Sequence, residues 1–259
     1  MTYEERYGEY QEAIETYLDG LFTAQKPYSQ LYEAIRYSIL GGGKRIRPVL
    51  TLEFARLGGI NWRLALPFAC ALELVHNYSL IHDDQPCMDD DDLRRGKPTT
   101  HKAYGETLAI LAGDALQPEA FRLILEAPAL SGEHKLDAMR VLANACGADG
   151  MVAGQVLDTL CPIENTEQLR HMEELKTGCM IAAAAELGCA ASGMTPVCVT
   201  WRCSMPRISV LPSKFAMICW MWREMPPCSV SPSALIRKRE SSPSWTRLVS
   251  KAAALRWLD

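Results

Sequence analysis

The chain has 259 residues, 48% hydrophobic and 22% charged, which suits one soluble domain with a sizeable core. No apolar run reads as a bilayer span, and the acidic, Tyr-rich N-terminus carries no secretory or transit pattern, so a cytoplasmic protein is expected. The ten cysteines are scattered without Cys-x-x-Cys pairs, which argues against a disulfide scaffold or a zinc ribbon and for reduced thiols. The net charge of −4 hides a split: residues 194–259 hold ten Lys and Arg against three Asp and Glu, a net of +7. Residues 1–193 are left with seventeen against twenty-eight, a net of −11.

In chain order, residues 3–25 read as an amphipathic helix, with Tyr10, Ile14, Tyr17, Leu18, Leu21 and Phe22 at helical spacing. A second helix spans Tyr28 to Leu40 and is stopped by Gly41-Gly42-Gly43. Pro48 suits the first turn of a third, ending near Leu57, because that turn leaves its N–H groups unpaired. A long helix covers Trp62 to Asp84, and further helices fit Glu106–Glu126, Glu133–Cys146, Gly150–Thr159 and Thr166–Ala191. Strand signals are absent, so the fold class is all-α, a large helical bundle. After Met194 the periodicity dissolves into Pro, Ser, Trp and Arg, with a weak helix near Lys251–Leu258.

The segment from Ile81 to Thr99 carries the chemistry. Asp83, Asp84 and Asp89 to Asp92 put six carboxylates into ten residues, a density that calls for cations between them. Asp83 and Asp84 end an apolar helix, where the macrodipole disfavours anions unless a divalent ion offsets the charge. Pro86 cannot continue the helix, so the chain can loop and return Asp89 to the side of Asp83. Such hard oxygen ligands suit Mg²⁺, which shares its remaining positions with water and phosphate oxygens. Arg94 and Arg95 would supply bidentate donors to the same phosphates. A calcium-binding EF-hand loop is excluded, lacking Gly at its sixth position and Glu at its twelfth. Lys44 and Arg47, beside a flexible Gly run and ahead of a helix start, form a candidate anion site. His76 lies seven residues before Asp83, two turns away on the same face. Lys176 stands three residues after Glu173 and also reads as half of an ion pair. Asp114, Gln155 and Asp158 sit in apolar helices and need partners.

These segments resemble the trans-isoprenyl diphosphate synthases, specifically the bacterial farnesyl diphosphate synthase type. The run from Ile81 resembles the family's first aspartate-rich motif with two extra residues inside it. Gly42-Gly43-Lys44-Arg45-Ile46-Arg47-Pro48 looks like its Gly-Gly-Lys-x-x-Arg-Pro segment, Glu73-Leu74-Val75-His76 like its Glu-x-x-His, and Lys176-Thr177-Gly178 like its Lys-Thr pair. The resemblance covers about residues 5–193 and implies an isoprenoid synthase bundle that works as a homodimer. It implies that Asp83, Asp84 and Asp89 hold Mg²⁺, with Asp83, Asp84, Asp89, Arg94 and Lys176 catalytic. Lys44, Arg47, His76, Arg94 and Arg95 would bind substrate diphosphate, with Lys176 and Thr177 reaching the allylic one. The substrates implied are isopentenyl diphosphate and dimethylallyl or geranyl diphosphate; no nucleic acid or membrane span is expected. Tyr78, with Ser79, would set chain length: an aromatic five residues before Asp83 caps the pocket and goes with a C15, farnesyl product. Asp114, Gln155 and Asp158 would support these groups.

One part of the pattern is missing. The family carries a second motif, roughly Phe-Gln-x-x-Asp-Asp-x-x-Asp, on the facing helix, but no acidic residue lies between Glu186 and Glu224. The genetic code offers a reason. Read from the last base of each codon, Met217-Ile218 must encode Asp, Cys219-Trp220 Leu, Trp220-Met221 Asp and Met221-Trp222 Val. With one allowed codon choice, Ser209 to Trp222 yields Gly-Leu-Ala-Phe-Gln-Val-Arg-Asp-Asp-Met-Leu-Asp-Val, the missing motif. The reading is therefore a helical domain over 1–193 and an out-of-frame tail over 194–259, the shift falling near residues 193–208. That explains the tail's charge without a nucleic-acid partner. It also predicts a poorly stable, aggregation-prone chain with impaired activity. Alternatives are a geranylgeranyl diphosphate synthase, a terpene cyclase (disfavoured by Lys44, Arg47 and His76), and a non-catalytic diphosphate-binding or defective product.

Overall fold

A computed structural model describes residues 2–194; the expectations for residues 195–259 lie outside the described residues. Ten α-helices make up almost all of it: α1 Tyr3–Asp19, α2 Ser29–Ile39, α3 Ile46–Leu57, α4 Leu66–Asp83, α5 Thr100–Tyr104, α6 Glu106–Glu126, α7 Gly132–Cys146, α8 Met151–Leu160, α9 Thr166–Glu173 and α10 Cys179–Ser192. A 3₁₀ turn, Trp62–Ala65, leads into α4, and a π-helical turn, Glu174–Gly178, joins α9 to α10.

Local chemistry sets the boundaries. Thr2 and Glu5 form a reciprocal capping box that starts α1. The helix stops at Asp19, short of the expected residue 25, because the chain turns at Gly20 and Phe22 takes a left-handed φ of 57°. Pro48 sits in the first turn of α3 as expected. Asn61 caps the 3₁₀ turn through Arg63 N–H at 3.1 Å, and Pro67 opens α4.

Helix α4 is the axis of the bundle. Phe68 to Leu72, Leu74 and Val75 have no exposed surface, and α6, α3 and α10 pack around them. Trp62–Asp83 is by length and composition apolar enough to cross a membrane, contrary to the sequence reading. Most of it is buried inside the bundle, as a core helix must be when helices cover it on several sides. Helix α10, rich in Ala, lies close on α3: a Cβ on Gly188 would fall 2.4 Å from the Thr51 carbonyl oxygen.

A further departure from expectation is a short hairpin, β1 Leu93–Arg94 and β2 Lys97–Pro98, antiparallel with Leu93 opposite Pro98 and Arg94 opposite Lys97. Arg95 and Gly96 form its two-residue turn at φ 54° and 79°, the paired positive values that follow strand twist. Tyr37 of α2 holds the hairpin by donating to the Pro98 carbonyl at 2.8 Å.

Candidate active site

The site begins where α4 ends. The Asp89 N–H donates to the Asp83 carbonyl at 2.9 Å, so the turn after Pro86 does bring these two residues side by side. Met88 and Asp90 N–H groups bond the Gln85 carbonyl at 2.9 and 3.1 Å and fix the turn. Lys102 pairs with Asp92 at 2.9 Å, and Thr99 pins the loop by donating to the Asp91 carbonyl at 2.8 Å. Asp84 is only 2% exposed and receives Arg94 Nε on both carboxylate oxygens, at 2.8 and 2.9 Å.

That pairing joins two of the residues expected at the site. Arg94 stands in a bidentate bond with Asp84, whose charge also acts on Asp83. The reason is the hairpin, which folds Arg94 back onto the end of α4, where a buried carboxylate needs a partner. Among the described residues, no three His, Cys, Asp or Glu side chains converge as a metal cage. The pair Asp83 and Asp89 still fits Mg²⁺, an ion commonly held by one or two carboxylates together with substrate phosphates and water.

Asp83 looks into a cavity of about 500 Å³. Its carboxyl is pushed up to about 6, first by burial and then by the charges of Asp89 and Asp84, with Lys176 and Arg94 opposing. Arg47 and His76 line the same cavity, so the two-turn spacing of His76 and Asp83 does put both on one face. Arg47 Nη1 lies 3.3 Å from His76 Nε2, and Arg47 Nε is buried without a hydrogen-bond partner. Burial, then the charges of Arg47, Arg95, Arg94 and Arg45, hold the His76 imidazole well below its usual range. A neutral ring that accepts from Arg47 at Nε2 carries its proton on Nδ1. Tyr78 and Ser79 form part of the cavity wall; Tyr78 is 6% exposed and stacks edge-on to His82 at 5.8 Å.

Lys176 and Thr177 reach the cavity from the π-helical turn, a bulge of the kind that often marks functional positions. Lys176 Nζ donates to Asp158 at 2.7 Å, not to Glu173. Gly154 lets α8 approach this turn: an added Cβ would fall 2.1 Å from the Lys176 backbone nitrogen. Gly154→Ala should therefore cost about 1–3 kcal/mol through backbone displacement, read as a lowered denaturation midpoint. Gln155 lines the cavity, whereas Asp114 is 57% exposed and 3.8 Å from His82, a surface position and not the buried one expected.

Lys44 and Arg95 do not line this cavity. Arg95 lies beside it, against Gly43, where a Cβ would fall 2.7 Å from its Nη1. It shares a small adjoining space with Asp84, Arg94 and Asn77. Sequence reasoning passed over Arg45. It is 3% exposed, pairing with Glu73 and Glu15 at 2.7 Å each.

The family model described as polyprenyl synthetase matches residues 28–203. Geranylgeranyl pyrophosphate synthase 7, chloroplastic, of Arabidopsis thaliana is 45% identical over 186 residues, 70% of this chain and 53% of the relative. Farnesyl diphosphate synthase of Geobacillus stearothermophilus is 42% identical over 201 residues, 74% of this chain and 66% of the relative. The crystal structure of a geranyltransferase from Legionella pneumophila superposes with a TM-score of 0.68 at 42% identity, covering 73% of this chain and 67% of that one. The chain spans about half the length of the plant relatives it matches.

Proposed function

The chain belongs to the polyprenyl synthetase family, and from that premise we propose that its cavity is the substrate half-site of a prenyltransferase. The reaction is the condensation of isopentenyl diphosphate with dimethylallyl or geranyl diphosphate. The observation that carries this reading is the polarity of one cavity. One lining brings together Asp83 and Lys176, whose charges act on each other, Arg47 and neutral His76, 3.3 Å apart, and the apolar side chains of Tyr78, Met151, Val156 and Leu160. Two anionic head groups and one apolar tail match that set of side chains.

Mg²⁺ held by Asp83 and Asp89 would neutralise the charge of the departing diphosphate. Lys176 would donate to the same oxygens. Arg47 would give its unpaired Nε–H, and His76 its Nδ1–H, to the isopentenyl diphosphate. The apolar part of the cavity would hold the double bond against the allylic cation, so that proximity supplies much of the rate. Asp84 and Arg94 act on this scheme by holding each other at the end of α4.

Tyr78, buried and in the cavity lining five residues before Asp83, supports a C15, farnesyl product, as an aromatic there would cap the pocket. A C20 product is the second reading, favoured by the several geranylgeranyl synthases among the relatives. The out-of-frame tail is retained as a proposal: the family match ends at residue 203, inside the 193–208 window. A cytoplasmic homodimer remains the assembly and placement expected of a repaired protein; exposed Ile110 and Leu111 on α6 offer it an apolar face.

Calorimetry with inorganic pyrophosphate tests the basic side chains. Arg47→Met should weaken binding about 10- to 100-fold, the range for losing one charge-assisted hydrogen bond. Equal affinity in parent and variant would remove the diphosphate reading.

A further inference from the structure

Helix α1 precedes residues 28–203, the part that the family match covers, yet it grips the turn that carries Lys44 and Arg47. Three residues spaced one turn apart make the contact. The Tyr7 hydroxyl donates to the Lys44 carbonyl, and Gln11 Nε2 donates to the same oxygen at 3.3 Å. Glu15 accepts from Arg45 Nε at 2.7 Å and from Nη2 at 3.2 Å. The neighbouring stripe of Tyr10, Ile14 and Leu18 is buried in the core at 2%, 0% and 0% exposure. With that stripe locked, α1 cannot roll, and the polar stripe is held at a fixed height against the turn.

Arg45 extends the grip to two further helices, donating to Glu73 of α4 at 2.7 Å and to the Ile39 carbonyl of α2 at 2.6 Å. Its own backbone is left-handed, φ 50° and ψ 36°. A side chain in that region persists only where surrounding contacts over-determine it. Here those contacts converge on the residue between Lys44 and Ile46, one step from the start of α3. The turn's conformation is thus imposed from outside the turn.

We infer that the Tyr7–Gln11–Glu15 face of α1, acting through Arg45, is a positioning device for diphosphate binding. It presets the Lys44–Arg47 turn, so that no ordering of the loop remains to be done when the anion arrives. The inference rests on the diphosphate reading of Arg47 and His76.

Calorimetry with inorganic pyrophosphate, well below the unfolding transition, tests it. Tyr7→Phe combined with Gln11→Leu should weaken binding about 5- to 20-fold. Glu15→Ala should do the same, while Glu15→Gln, which keeps an acceptor for Arg45, recovers most of the affinity. Glu12→Ala, on the exposed side of the same helix, should bind like the parent. Should the double variant fail to fold, Tyr7→Phe alone removes one donor and is read the same way. If the α1 variants lower the melting temperature but leave pyrophosphate affinity at the parent value, the inference is overturned and the Arg47 reading stands. If the parent gives no binding, or Arg47→Met binds as well as the parent, both fall.

Discussion

Restoring the reading frame near codons 193–208 is expected to raise condensing activity at least about 10³-fold over the 259-residue chain. Among the described lining residues of the cavity the carboxylate is that of Asp83, with Asp89 beside it on the turn. A full prenyl transfer must stabilise a diphosphate that gains charge as it leaves, and removing even one preorganised electrostatic group typically costs about 10²–10³ in rate. The motif recovered by the shifted reading would bring three aspartates at once, together with the helix that carries them. The measurement is product formation from geranyl and isopentenyl diphosphates, with the chain as written and the repaired chain side by side. Turnover in the unrepaired chain comparable to a full-length relative would end the frameshift proposal. In the repaired protein the proposed C15 limit predicts that Tyr78→Ala lets the product lengthen, because a buried ring is removed from the cavity lining.

What was legible in the sequence was whatever depends on local periodicity. The bounds of α6 at Glu106 and Glu126 follow from its apolar stripe, and the end of α4 beside Asp83 follows from the break before Pro86. The shared cavity of His76 and Asp83 follows from a seven-residue spacing on one helix. Contacts that depend on chain reversal were not legible. The bond between Arg94 and Asp84 requires a hairpin with two residues per strand, too short for any alternation to register, although Arg95-Gly96 is a turn signal in hindsight. The π-helical turn at Lys176 adds one residue to a helix whose apolar pattern runs on through it, so Thr166–Ala191 reads as a single helix. Asp114 was placed inside because its neighbours are apolar, yet α6 turns that face outward, along with Ile110 and Leu111. Composition says which helix is amphipathic more clearly than it says where the stripe's edge falls.

Asp83→Asn should stabilise the metal-free protein while removing its Mg²⁺-dependent uptake of pyrophosphate. The carboxyl is shifted from the ordinary 3.8 to about 6, chiefly by burial, with Asp89 and Asp84 adding repulsion. Below pH 3.8 it is protonated both folded and unfolded, and no penalty arises. Between pH 3.8 and about 6 the unfolded chain releases this proton while the folded chain retains it, so stability falls as pH rises. Above about 6 the full penalty persists. The shift sets a ceiling of about 3 kcal/mol, which contact with the open cavity reduces to about 1–2 kcal/mol. Asn carries no charge to desolvate, so at pH 7.5 the variant should unfold at higher urea than the parent, with the two curves converging toward pH 4. Mg²⁺ with pyrophosphate should reverse that order, because a ligand that binds only the folded parent stabilises it alone. The variant's affinity for the pair should drop about 100-fold or more, as expected for a lost metal ligand when even its supporting contacts are worth about 10- to 100-fold. A variant no more stable than the parent at pH 7.5 would mean that burial does not strain the carboxylate in metal-free protein. A variant that still gains stability from Mg²⁺ and pyrophosphate as the parent does would mean that the ion is held elsewhere.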